Sequence, residues 1–235
     1  MRKKFKKAVA VILTAAMAVT ATAPAFAAEE TKIKDELNLQ YENYIAEDGF
    51  RENGSYTIKG IRYEYEQHNT LNGEMYLDVY KVSNSRGLDS TREKTQEIYV
   101  NLNEGLMISN GEEKEIVLSN EVMPRGPIYT NVFTGNTFVF DVVRYTVEEL
   151  ALAIIGWSFA GIWGVGIGLV LGVANDIIEG YSGTFALDYE RYVTTELFPD
   201  SYPGCSALHT YYCKYYNNTT GAFLRQSETY TEVVM

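Results

Sequence analysis

The chain has 235 residues, with 31 acidic against 20 basic side chains, a net charge of −11, and 46% hydrophobic residues. A chain this acidic is repelled by nucleic acid and by anionic lipid surfaces unless its charge is segregated. One this apolar has enough material to bury a sizeable core, which excludes global disorder.

The N-terminus opens with Met1, Arg2, Lys3, Lys4, Phe5, Lys6 and Lys7, continues through an apolar run from Ala8, and reaches Ala25-Phe26-Ala27 after Pro24. A basic start, a short apolar middle and a small-residue cleavage site predict a secretory signal peptide over residues 1–27. Its removal takes away five basic residues and no acidic one, so the mature chain of about 208 residues carries a net charge of −16. Residues 28–54 are polar and acidic with short apolar patches, and are expected to form a leader into a single β-rich domain over 55–235.

From Ser55, Tyr56, Ile58, Ile61, Tyr63 and Tyr65 alternate with polar residues, as in a half-buried strand. After Asn72-Gly73 the alternation resumes, with Met75, Leu77 and Val79 set against Tyr76, Asp78 and Tyr80. Two alternating runs around Asn-Gly predict a hairpin, its loop extendable because Asn69 and Thr70 are also turn-prone. Further strands are expected over 97–102, 115–118, 128–133, 137–143 and 184–193, with breaks at Asn110-Gly111 and around Pro124 to Pro127. Residues 210–216 and 222–234 flank Asn217 to Gly221 as a second hairpin. Short strands with regular turn signals point to an α+β fold, an antiparallel sandwich or barrel-like body, carrying one helical segment.

That segment is Leu150 to Asn175, 26 consecutive uncharged residues. Thr146 and Glu149 form a capping-box pattern ahead of it, and Gly180 is a C′ candidate beyond it. The pair brackets residues 147–179 as one helix of about 33 residues, or as two helices broken near Gly161 to Gly164. Gly156, Ala160, Gly164, Gly168 and Gly172 fall at four-residue spacing, with Trp157 and Trp163 in the same stretch. On one helix such a row makes a shallow groove that a second backbone can approach closely. Glycines cost about 1 kcal/mol each in a helix relative to alanine, so a register of them asks for a reason.

The segment, together with the signal-peptide layout, resembles the glycine-zipper segments of membrane-active, pore-forming secreted proteins, including bacteriocins of Gram-positive bacteria. The resemblance covers residues 150–175 and implies insertion or self-association at a target membrane. A stop-transfer anchor is disfavoured, because the flank that would face the cytoplasm offers Asp176 and Glu179 and no basic residue before Arg191. The competing reading is a helix, or helical hairpin, apolar on all faces because protein surrounds it. The two are compatible if a soluble form shelters the segment.

Cys205 and Cys213 enter an oxidising destination. A bridge between them closes a nine-residue loop worth roughly 2.5 kcal/mol by loop entropy, and a structural disulfide is expected. The alternative, a metal held by Cys205, His209 and Cys213 on one helical face, supplies three ligands without an obvious fourth. Gly164-Val165-Gly166-Ile167-Gly168 fails as a dinucleotide fingerprint, since the third glycine position falls on leucine. His68 and His209 stand in no nucleophile motif and are read as surface or loop residues. Glu64/Glu66 and Glu112/Glu113 are read as solvated strand edges or turns. The tyrosine clusters Tyr63/Tyr65, Tyr76/Tyr80 and Tyr211/Tyr212/Tyr215/Tyr216 either contact a glycan or protein or fill half-buried sheet faces.

These readings lead to an expected function: a secreted, non-enzymatic, membrane-active protein without cofactor or metal, its partner a target membrane or cell-surface component, with self-association through the glycine row and no nucleic acid. The runner-up is an extracellular binding or adhesion module in which the apolar helix is core.

Overall fold

The computed structural model describes residues 37–83, 91–116, 130–159, 162, 164–197 and 206–234. The signal peptide expected at 1–27 lies outside them.

Seven strands succeed one another as an antiparallel meander: β1 (Gln40–Ala46), β2 (Gly49–Ile58), β3 (Ile61–Thr70), β4 (Glu74–Ser83), β5 (Thr91–Asn101), β6 (Leu106–Ser109) and β7 (Glu112–Glu115). The turns obey local chemistry. Lys59-Gly60 and Asn110-Gly111 each place both residues at positive φ, the two-residue geometry that matches strand twist. The Asn72-Gly73 hairpin forms with a three-residue loop, Leu71 to Gly73, in which Gly73 takes φ 82°. The run expected to be continuous from Ser55 to Tyr65 is divided by Lys59-Gly60. The expected leader is also corrected: residues 40–54 build β1 and the first half of β2, paired from Gln40↔Ser55 to Ala46↔Gly49, and Leu37 and Leu39 are buried in the core. The stretch reads as polar because Glu42, Glu47, Asp48 and Arg51 lie on the outer face or in the turn, and because Glu52 is a buried charge at an inward position.

The second sheet has six strands: β8 (Thr130–Thr134), β9 (Phe138–Asp141), β10 (Thr184–Leu197), β11 (Ala207–Asn217), β12 (Phe223–Gln226) and β13 (Tyr230–Val234). The long pair β10–β11 is central; β8 and β9 share one flank, β12 and β13 the other. The fold is α+β and mainly antiparallel β, in two open sheets.

Between β9 and β10 the apolar segment forms two helices, α1 (Val147–Ser158) and α2 (Leu171–Gly180), not one. The expected capping box is present: the Glu149 amide donates to Thr146 Oγ1 and the Thr146 amide to Glu149 Oε2. Gly180 is the last helical residue, with Tyr181 as the cap. All twelve residues of α1 are buried, because the helix meets both sheets. Tyr56 of β2 donates a hydrogen bond to Glu148, and Lys114 of β7 pairs with Glu149 at 2.5 Å. On the other side the Trp157 ring lies edge-on to Tyr189 of β10, and Ser158 Oγ is 2.7 Å from the Tyr215 hydroxyl of β11. Protein on every side is what permits a helix apolar all round.

Among the described residues no disulfide is present: Cys213 is buried in the second sheet, and Cys205, the other half of the expected bridge, lies outside the described residues. β11 is an extended strand from Ala207 to Asn217. The same extended backbone removes the helical face on which a Cys205, His209 and Cys213 metal site would depend. His209 instead bonds Thr195 Oγ1 at 2.9 Å.

Candidate functional site

Alternation along β2 to β5 gives the seven-stranded sheet two unlike faces. The inner face carries Phe50, Glu52, Tyr56, Tyr65, Gln67, Met75, Leu77, Val79, Ile98 and Val100, all buried. Its polar members serve the backbone of the stretch between α1 and α2. The Gln67 carboxamide accepts from the Ile167 amide at 2.8 Å and donates to the Val165 carbonyl at 3.2 Å; Asn69 donates to the same carbonyl at 2.9 Å. A side-chain amide thus bonds the chain at 165 and 167 as a neighbouring strand would. Glu52, 0% exposed, accepts from the Gly168 amide and the Tyr65 hydroxyl, both at 2.9 Å. Burial pushes its carboxyl up to about 6, against these hydrogen bonds, which lower it. Burial, with Glu148 adding to it, drives the Tyr56 hydroxyl far above its usual range.

The glycine row is spent on this seam. Gly156 is inside α1 and Gly172 inside α2, both buried; Gly164 takes φ 81° in the break, and Gly168 belongs to a single 3-10 turn over 167–169. A Cβ at Gly166 would stand 2.0 Å from Glu52 Oε2, one at Gly168 2.7 Å from the Tyr41 ring, and one at Gly164 2.8 Å from the Tyr230 hydroxyl. The described members of the row therefore do not share a groove on one helix: Gly156 and Gly172 belong to different helices, and Gly164 and Gly168, in the interruption, face Tyr230 and Tyr41. Trp157 is fully buried and donates to the Asn136 carbonyl at 2.9 Å. Ala160 and Trp163 lie outside the described residues.

The outer face is different. Over β1 to β5 it forms a groove of about 1000 Å³ open to solvent. The strand register sets Tyr44, Arg51, His68, Tyr76 and Tyr99 side by side, one from each of five consecutive strands. The next register row is Glu42, Asn53, Glu66, Asp78 and Glu97. In the first row the rings of His68 and Tyr76 are 6.2 Å apart and those of Tyr76 and Tyr99 5.2 Å. Glu74 accepts from both tyrosine hydroxyls, at 3.4 and 3.1 Å, which fixes the rings without covering them. Tyr44 is 52% and Tyr76 43% exposed.

The groove's charges are largely matched within it. Arg92 bridges Glu64 and Glu66 at 3.1 and 2.8 Å, Lys94 bridges Asp78 and Glu97 at 2.8 and 3.0 Å, and Arg51 holds Asp48 at 2.6 Å. Exposed pairs of this kind add little stability; here they fix side-chain positions. Glu64 and Glu66, expected at an edge or turn, lie mid-sheet, and His68 is a strand residue in the groove. Of the three tyrosine clusters only the C-terminal one is divided by the pleat, with Tyr211 and Tyr215 facing the core and Tyr212 and Tyr216 outward; Tyr63 and Tyr65 both pack on the core, and Tyr76 and Tyr80 both face outward. Tyr44, Arg51, Tyr99 and the acidic row escape a reading of sequence, since their adjacency depends on register. The alternation of Tyr76, Asp78 and Tyr80 was the available signal.

Comparison with protein-family models, curated proteins and solved structures finds no match to the chain. Among the described residues there is no cluster of His, Cys, Asp and Glu suited to a metal, and no helix long and apolar enough to cross a membrane.

Proposed function

We propose that the protein is an extracellular binding module whose ligand surface is the grooved outer face of β1 to β5, with the apolar segment as its structural core. The observation that carries this reading is the row of Tyr44, His68, Tyr76 and Tyr99, with Arg51 between the first two, in which Tyr44 and Tyr76 are about half exposed and Glu74 holds the hydroxyls of Tyr76 and Tyr99. Fixed aromatic side chains of this kind give contact area at low entropic cost. The extracellular setting rests on the signal-peptide pattern of residues 1–27. The membrane-active alternative requires residues 147–180 to leave both sheets, exposing a face of Glu52, Gln67 and Asn69 whose partners are the departing backbone.

Two measurements on the purified mature chain separate these readings. Wild type is expected to cosediment with bacterial cell walls and to leave dye inside vesicles of neutral and of anionic lipid. Tyr76→Ala should lose cosedimentation, while Tyr192→Ala, on the outer face of the second sheet, should retain it. Dye release by wild type, abolished by Gly168→Leu at unchanged melting temperature, would instead establish the membrane-active reading.

A further inference from the structure

Resting on the groove as the ligand surface, we infer that its ligand is a neutral glycan chain lying across the strands. Three features define the chemistry. The aromatic row supplies apolar ring faces, which match the C–H faces of pyranose rings. Alongside runs a row of carboxylates and one carboxamide, and these are acceptors for sugar hydroxyls. Most of those carboxylates already share a guanidinium or ammonium, from Arg92 or Lys94. A ligand charge of either sign would have to compete with these internal pairs, whereas a hydroxyl bonds to a paired carboxylate through its remaining lone pairs.

Spacing sets the direction. Adjacent strands are about 4.8 Å apart, close to the length of one pyranose ring, and the observed ring separations of 5.2 and 6.2 Å follow that repeat. From Tyr44 on β1 to Tyr99 on β5 there are four inter-strand steps, about 19 Å, room for several sugar units in line. A peptide running along a strand would meet tyrosine, carboxylate and tyrosine in turn at Tyr76, Asp78 and Tyr80. Only a chain crossing the strands keeps the aromatic row on one side and the acceptor row on the other.

Calorimetric titration of the mature chain with cellohexaose, chitohexaose and maltohexaose, at low and high salt, tests this. At least one hexasaccharide should bind, with affinity nearly unchanged by salt, because the contacts are between neutral and internally paired groups. Tyr76→Ala and Tyr44→Ala should each weaken it about three- to ten-fold, the range for one lost ring contact. Tyr44 is on the edge strand and half exposed, so that variant keeps the fold if Tyr76→Ala does not. A peptide library displayed on phage is panned in parallel. Failure of all three glycans, with peptides captured in a Tyr76-dependent manner, overturns the glycan inference and leaves the groove standing. Absence of any ligand sensitive to Tyr76 or Tyr44 overturns both, and glycan binding equal in wild type and variants places the sugar elsewhere.

Discussion

Glu52 and Asn53 are neighbours in β2, and the pleat gives them opposite surroundings. Glu52 points inward, is fully buried, and holds the Gly168 amide and the Tyr65 hydroxyl. Asn53 points outward into the groove, opposite Glu66 of the next strand. The contrast extends over the whole sheet. Inner polar groups bond to backbone, so their removal leaves buried donors and acceptors without partners, at roughly 1–3 kcal/mol each. Outer polar groups bond to one another at a solvated surface, where loss of a partner is cheaply made good by water. Polar residues at alternate positions of one strand are therefore structural on one side and available to a ligand on the other.

The largest effect expected from breaking this contrast is at Gly166. Its backbone is extended, so conformation permits alanine, but the new Cβ would meet Glu52 Oε2 at 2.0 Å within the sealed seam. Gly166→Ala should cost about 3 kcal/mol, the upper part of the usual overpacking range. It should be read as a lower urea midpoint at unchanged slope. Wild-type stability in that variant would show the seam to be loose.

A smaller effect is expected from Glu52 and pH. The fold holds this carboxyl at about 6 against an ordinary 4.5, so it favours the protonated form. The associated stability is complete below pH 4.5 and is lost as pH rises through 6, about 2 kcal/mol over the window. Glu52→Gln keeps an acceptor for the Gly168 amide and cannot ionise. Its unfolding free energy should lack the decline between pH 4.5 and 6 that wild type shows, and should exceed wild type at neutral pH. The sign bears on membrane release as well: through Glu52, acidification tightens the seat of residues 164–168.

The smallest change in stability is expected on the outer face. Tyr76→Ala should lower unfolding free energy by only about 0.5 kcal/mol, as for exposed substitutions generally, although it removes the central ring of the aromatic row. A loss of several kcal/mol would mean that the row is a structural brace, and the contrast between faces would weaken.

Particular elements show how far the sequence could be read. Asn72-Gly73, Asn110-Gly111 and the Asn217 to Gly221 turn were legible because positive φ restricts which residues can stand there. The capping box at Thr146 and Glu149 was legible for a similar local reason. The helix break was legible only as one of two options, since glycine at four-residue spacing fits a zipper and an interruption equally. The turn at Lys59-Gly60 is weakly marked in the sequence, because lysine at its first position is not one of the residues that favour positive φ. The first two strands are obscured by charges at outward and inward positions alike, Glu42 and Arg51 outward and Glu52 inward. In the candidate site, Tyr76 and Tyr80 stood out by alternation, but Tyr44 and Tyr99 are 32 and 23 residues from Tyr76 along the chain.

By itself, then, the sequence determined the β-rich class, the alternation of β4, the main turns and the existence of one wholly apolar segment, because each follows from local backbone preference or from periodicity. Tertiary structure alone decided that this segment lies between two sheets, that Cys213 is buried on the inner side of β11, and that five distant side chains form one row. Those outcomes depend on register and on packing across the core, where residues meet that share no neighbourhood in the chain.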